Sequence, residues 1–129
     1  MPRVVAKTSV RILAGSAFAI GPGKADLLQA ISETGSISAA ARSMGMSYRR
    51  AWLLIDTMNQ CFREPVVDTA TGGSGGGGAQ ITPFGIAALK IYRKMDANAA
   101  TAVSRHMTDF SRLLAKAPRP VKRNGRGEA

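Results

Sequence analysis

The chain has 129 residues, with 18 Lys+Arg against 8 Asp+Glu for a formal charge of +10 and an isoelectric point near 10.9; this is enough chain for one domain with a hydrophobic core. A hydrophobic content of 45% excludes wholesale disorder, and the lone Cys61 excludes an intramolecular disulfide framework and fits a reducing compartment. No apolar run is long enough to span a membrane as a helix, and the positive balance points to a polyanionic partner, either nucleic acid or an acidic membrane surface.

The charge is uneven along the chain. Residues 1–24 carry Arg3, Lys7, Arg11 and Lys24 with no acid, whereas residues 25–95 hold seven bases against five acids. Residues 96–129 hold seven bases against three acids, so the excess sits at the two ends. Arg3, Lys7 and Arg11 precede the apolar stretch 12–20, in which Ala17-Phe18-Ala19 resembles a signal-peptidase site. The alternation of Val10, Ile12 and Ala14 with Ser9 and Arg11 favours a short strand and a cytoplasmic protein. Gly21-Pro22-Gly23 then marks a turn before a helix.

From Lys24 the spacing is helical, with Ala25, Leu28, Ile31 and Ser32 on one face and Gly35 as the stop. Ser36 or Ser38 caps a second, short helix with Ile37, Ala40, Ala41 and Met44 inward. Its alanines permit a close helix crossing. Gly45 supplies the positive φ of a tight turn, Met46 plugs the corner, and Ser47 caps a third helix running to about Phe62. This is the sequence form of a helix-turn-helix. On the third helix Ala51, Ile55, Met58 and Phe62 share the core face, flanked by Tyr48, Leu54 and Asn59. Arg49, Arg50, Leu53, Asp56, Thr57 and Gln60 face away. Arg49 and Arg50 are the leading DNA contacts, because a guanidinium pairs bidentately with guanine or phosphate. Ser36, Ser38, Ser47, Tyr48 and Leu53 complete that candidate surface. Trp52 and Cys61 read as packing residues.

Val66–Ala70 and Ala79–Thr82 read as strands around the glycine run 71–78. That run contains chance matches to a dinucleotide fingerprint and to a hydrolase nucleophile elbow. A strand follows it rather than a helix, and no lysine completes a phosphate-binding loop, so an enzyme is not expected. The better reading is a hairpin tip, the wing beside a helix-turn-helix. There Thr71, Gly72, Gly73, Ser74, Gly75 and Gly76 bring backbone N–H groups close to a phosphate strand.

Thr82-Pro83 starts a last helix expected over 83–116. Ala88, Tyr92, Met95, Ala99, Val103, His106 and Phe110 step along it by threes and fours. A helix of about 50 Å outruns a domain of this size, so this stripe is expected to meet a second copy in a two-fold dimer. Dimerisation would set two recognition helices about 34 Å apart, or a multiple of it, for a palindromic operator on double-stranded DNA. The organisation expected is a winged helix-turn-helix over 1–117, mainly α with a small β hairpin, and a flexible basic tail over 118–129.

Gly35-Ser36-Ile37-Ser38, the run Gly45-Met46-Ser47-Tyr48-Arg49-x-Ala51-Trp52, Met58-Asn59, the glycine run into Ala79, and Thr82 with Gly85 together resemble the ModE-type molybdate-responsive transcriptional regulators. The resemblance covers roughly residues 9–95, and the helix-turn-helix is similar to the LysR type. It implies a dimeric winged helix-turn-helix regulator, a repressor or dual regulator, acting on genes for molybdate transport or molybdoenzymes. By the resemblance, residues 47–50 begin the recognition helix and residues 71–78 form the wing, with Ser74 where family wings often carry a base. Full-length members add a C-terminal molybdate-binding region that this chain is too short to include. No cofactor is therefore expected within it; three modes stay open, namely regulation without a ligand, molybdate sensing through a separate protein, and response to another effector. The competing reading is a non-specific architectural DNA-binding protein, motivated by the basic ends.

Overall fold

The computed structural model describes residues 3–69 and 78–121. The elements run β1 (Ile12–Ala14), β2 (Ala17–Ile20), α1 (Pro22–Thr34), α2 (Ile37–Ser43), α3 (Tyr48–Cys61), β3 (Val67–Asp68), β4 (Gln80–Ile81) and α4 (Pro83–Ser111). The architecture is mainly α with small antiparallel hairpins, as expected for a winged helix-turn-helix with a long last helix.

The apolar stretch after Arg11 forms a hairpin, not a single strand. β1 and β2 pair antiparallel across Gly15-Ser16, with Gly15 at φ +64°, a left-handed conformation that glycine adopts without steric cost. Ala19 and Ile20 turn into the core, while the paired Leu13 and Phe18 face solvent. α1 begins at Pro22, two residues before the expected start, and buries Ala25, Leu27, Leu28 and Ile31. Ser32, expected on that face, is exposed. Gly35 ends the helix at φ +68°, its N–H donating to the Ile31 carbonyl at 2.8 Å.

One core joins the α1 face to Ile37, Ala40 and Ala41 of α2, to Ala51, Ile55 and Met58 of α3, and to Val66, Val67, Leu89 and Tyr92. Phe62 packs edge-on against Phe84, with ring centroids 6.2 Å apart. The Arg63 guanidinium lies 5.5 Å from the Phe84 ring centre, which ties the end of α3 to the start of α4.

Two corrections concern α4. It ends at Ser111, five residues short of the expected 116, and its 29 residues span about 43 Å. Tyr92, assigned from its spacing to a surface shared with another copy, belongs to this chain's own core and is only 1% exposed. Its hydroxyl donates to the Val10 carbonyl at 2.8 Å, and Val10 N–H donates to Asp96 Oδ1 at 3.1 Å, so the segment leading into β1 is laced to α4. Burial, with Asp96 adding to it, pushes the Tyr92 phenol above its ordinary pKa. The unfolded chain therefore loses this proton first as pH climbs, and stability falls through the tyrosine range. Tyr92→Phe keeps the ring and removes the hydrogen bond. It is expected to cost about 0.5–1.5 kcal/mol in urea unfolding at neutral pH and to flatten the alkaline loss. An unchanged alkaline limb would assign that loss to another group.

Along the remaining stripe Ala88, Ala99 and Val103 are half-buried, and Met95, His106 and Phe110 are exposed. No residue of α4 from 97 to 111 is fully buried. Residues 118–121, the described part of the expected tail, are exposed and irregular; the rest of it lies outside the described residues.

Candidate nucleic-acid interface

Local chemistry builds the helix-turn-helix. Ser36 Oγ accepts from Ala39 N–H at 3.1 Å and so caps α2. Gly45 takes φ +67°, and the chain folds back with Met46 N–H donating to the Ala41 carbonyl at 3.0 Å. Met46 packs on the core edge, as a corner plug should. Ser47 Oγ then accepts from Arg50 N–H at 3.1 Å and caps α3. Ala40, Ala41 and Ala51, all buried, give the small side chains that a close crossing of α2 and α3 requires.

With Ala51, Ile55 and Met58 inward, α3 turns Arg49, Arg50, Leu53, Asp56 and Gln60 to solvent. Leu53 is 57% exposed, which a residue chosen for packing within its own domain would not be. Tyr48 is exposed at the first turn and meets Trp52 edge-on at 6.2 Å. Arg49 and Arg50 form no ion pair among the described residues. The fold thus puts Arg49, Arg50 and Leu53 on one outward face of α3, with Tyr48 exposed on the flank beside Trp52 and the Ser47 hydroxyl engaged as the cap. Ser38 is half-buried on α2, and the Ser36 hydroxyl is already engaged as the cap.

The two strands of the wing are present: Val67 pairs with Ile81 and Asp68 with Gln80. Its predicted tip residues, Thr71, Gly72, Gly73, Ser74, Gly75 and Gly76, lie outside the described residues. Three contacts set the root of the hairpin. Ala79 N–H donates to the Gly35 carbonyl at 3.2 Å, and Gly78 bridges Ser36, which fixes β4 beside the start of α2. Asn59 Oδ1 accepts from Val66 N–H at 2.8 Å and Val67 N–H at 3.3 Å, while its Nδ2 donates to the Val67 carbonyl at 3.1 Å. Thr82 caps α4 by accepting from Gly85 N–H at 2.9 Å and donates to the Pro65 carbonyl at 2.7 Å. Its own N–H reaches the Val66 carbonyl at 3.0 Å.

Periodicity placed Asn59 only as a flank of the core face and gave no role to Gly85. The available signals were chemical. An amide bordering an apolar helical face needs partners, and a glycine in a first helical turn marks close backbone approach. Among the described residues no group of three or more His, Cys, Asp or Glu could hold a metal, and no helix is long and apolar enough to cross a membrane.

No family model matches the chain. Among curated relatives, it is 45% identical over 85 residues to the molybdenum-pterin-binding protein MopB of Rhodobacter capsulatus, covering 66% of this chain and 32% of that one. It is 36% identical over 91 residues to the molybdenum transport protein ModE of Herbaspirillum seropedicae, covering 70% and 34%. To the DNA-binding transcriptional dual regulator ModE of Escherichia coli K12 it is 44% identical over 71 residues, covering 55% and 27%. The matched segment spans about a third of the length of these relatives.

Proposed function

We propose that this chain, a homologue of the ModE-type regulators over up to 70% of its length, is a sequence-specific, cytoplasmic DNA-binding regulator of molybdate transport or molybdoenzyme genes. The observation that carries this reading is the outer face of α3. A capped helix is anchored by Ala51, Ile55 and Met58, projects Arg49, Arg50 and Leu53 outward, and has a hairpin rooted beside it. That is the division of labour a recognition helix needs in a major groove. Arginine at its N-terminal end supplies the bidentate donors for guanine O6 and N7, and the exposed Leu53 suits a thymine methyl. The wing would add backbone contacts that position the helix without reading sequence.

The active form in this reading is a homodimer. The outer half of α4 has apolar and small side chains at Ala99, Val103 and Phe110 that this chain does not fully cover. A second copy docked there, extending to Ala88, Met95 and His106, would present two recognition helices to a palindromic site. Response to molybdate, as repressor or dual regulator, would then come from a separate sensing protein.

Selection of bound fragments from genomic DNA, with and without molybdate, tests the reading. One enriched, two-fold symmetric motif is the expected result. Uniform recovery of all fragments would replace it with non-specific architectural binding, for which salt dependence remains but preference vanishes. On the selected site Arg49→Ala should weaken binding by about 1–3 kcal/mol and relax preference at a single base pair. Equal loss on every sequence would make Arg49 a phosphate contact instead.

A further inference from the structure

The recognition helix has different neighbours on its two flanks. Asn59 borders the wing root on one side. On the other, Arg50 and Leu54 border a groove of about 240 Å³ that α3 shares with the β1–β2 hairpin and the start of α1. Three parts of the fold each bring one base to this groove: Arg11 from the irregular segment before β1, Lys24 from the first turn of α1, and Arg50 from α3. Among the described residues none of the three is in an ion pair, and the first turn of α1 carries no acid. Lys24 Nζ donates to the Phe18 carbonyl, which holds its charge at the groove while leaving two ammonium protons free. Phe18 itself is about half exposed at the rim. Three basic side chains and no acid line this one opening, so the groove favours negative charge.

We infer that the Arg11–Lys24–Arg50 groove is a second DNA-backbone contact, in which a phosphodiester is held on the flank of the recognition helix opposite the wing. This rests on the DNA-binding reading above and adds to it a contact surface contributed by the N-terminal hairpin. A helix lying in the major groove has a phosphate strand on either side, roughly 12 Å apart across the groove. In this reading the β3–β4 hairpin root lies towards one strand and this groove towards the other. Arg50 sits on the shared border and so couples phosphate positioning to the base-reading face of α3. The groove contributes orientation and charge, not sequence discrimination.

The test uses the full chain with a duplex selected by the wild type from a random pool and an unselected duplex of equal length. Arg11→Gln combined with Lys24→Gln should weaken both duplexes by the same factor, on the order of tenfold, and lower the slope of log affinity against log salt by about 1, the value for one phosphodiester. Arg11→Lys should retain most of the wild-type slope. Because Lys24 also holds the Phe18 carbonyl, Arg11→Gln alone serves as the variant that leaves this bond intact, and it should lower the slope by part of that amount. An unchanged slope in a wild type that binds its selected duplex overturns the groove contact while the DNA reading stands. Loss confined to the selected duplex overturns it too, in favour of base readout. Saturable binding of inorganic phosphate at the groove, seen in the Gly23 and Lys24 amide resonances with the DNA slope unmoved, assigns it to a free oxyanion and overturns it. A wild type that binds no duplex removes both readings at once.

Discussion

Gly85→Ala is expected to destabilise the fold by about 3 kcal/mol or more, against the sign that helix propensity dictates. Gly85 lies in the first turn of α4, where alanine ordinarily gains up to about 1 kcal/mol over glycine. Here a Cβ would stand 2.2 Å from the Val66 carbonyl oxygen, 2.9 Å from Ile81 Cγ1 and 3.0 Å from the Val66 carbonyl carbon. Two of these three atoms are backbone, so no rotamer change relieves the clash. The start of α4 must move away from the 65–66 segment by about 1 Å. That movement strains the Thr82 N–H bond to Val66, at 3.0 Å, and the Thr82 hydroxyl bond to Pro65, at 2.7 Å. Gly23→Ala is the matched control. It also lies in a first helical turn, but its Cβ meets nothing within 4 Å and its φ is not in the left-handed region. The control should be neutral or stabilise by a few tenths of a kcal/mol. Urea unfolding of both variants at one fixed chain concentration decides the matter. Equal midpoints for Gly85→Ala and the wild type would mean that α4 does not press on Val66.

What could be read from residues alone follows a physical division. Local chemistry was legible. Ser36, Ser47 and Thr82 as caps and Gly35 and Gly45 as turn glycines each depend on partners within four residues, and each acts as expected. The outward face of α3 was legible for the same reason, since a 3.6-residue period needs no knowledge of what lies opposite. Tyr92 was misassigned because that period marks an apolar stripe without saying whether it meets this chain or another. The deciding partner, Val10, lies 82 residues away. The β1–β2 hairpin was read as one strand because Leu13 and Phe18 are apolar yet face solvent, which erases the alternation that marks a half-buried strand. Leu27, to which the stripe gave no role, is buried because a helix packed on several elements buries a wider arc than one stripe, whereas Ser32 at the edge of that stripe is exposed. The charge pattern pointed to the ends of the chain. The fold brings Arg11 and Lys24 from one of those ends to a groove shared with Arg50 of α3, so these two bases belong to the same surface.

Asn59→Ala should have the second large effect, and it separates stability from function. The side chain makes three hydrogen bonds to two consecutive residues of the wing root, at 2.8, 3.1 and 3.3 Å, and Val66 and Val67 are both buried. Truncation leaves two N–H donors and one carbonyl without that partner, at about 1–3 kcal/mol for each group that water cannot reach. Some of that is recovered as the segment shifts, so a net loss of about 2–4 kcal/mol is expected in urea unfolding. Asn59→Asp keeps both acceptor contacts but sets a carboxylate oxygen against the Val67 carbonyl in place of the donating amide. It should recover only part of the lost stability. The functional consequence comes from what these bonds orient. Val66 receives Asn59 on its N–H and Thr82 on its carbonyl, so this one residue ties α3 and α4 to the first strand of the wing. With that tie cut, the hairpin loses its fixed angle to α3, and under the proposed DNA-binding function the two would no longer meet a duplex in one rigid arrangement. At a temperature where Asn59→Ala remains folded, affinity for a selected duplex should fall at least tenfold while base preference at the Arg49 position persists. Full affinity in a folded Asn59→Ala would show that the wing makes no contribution to binding. A loss of base preference would show that Asn59 acts on α3 itself.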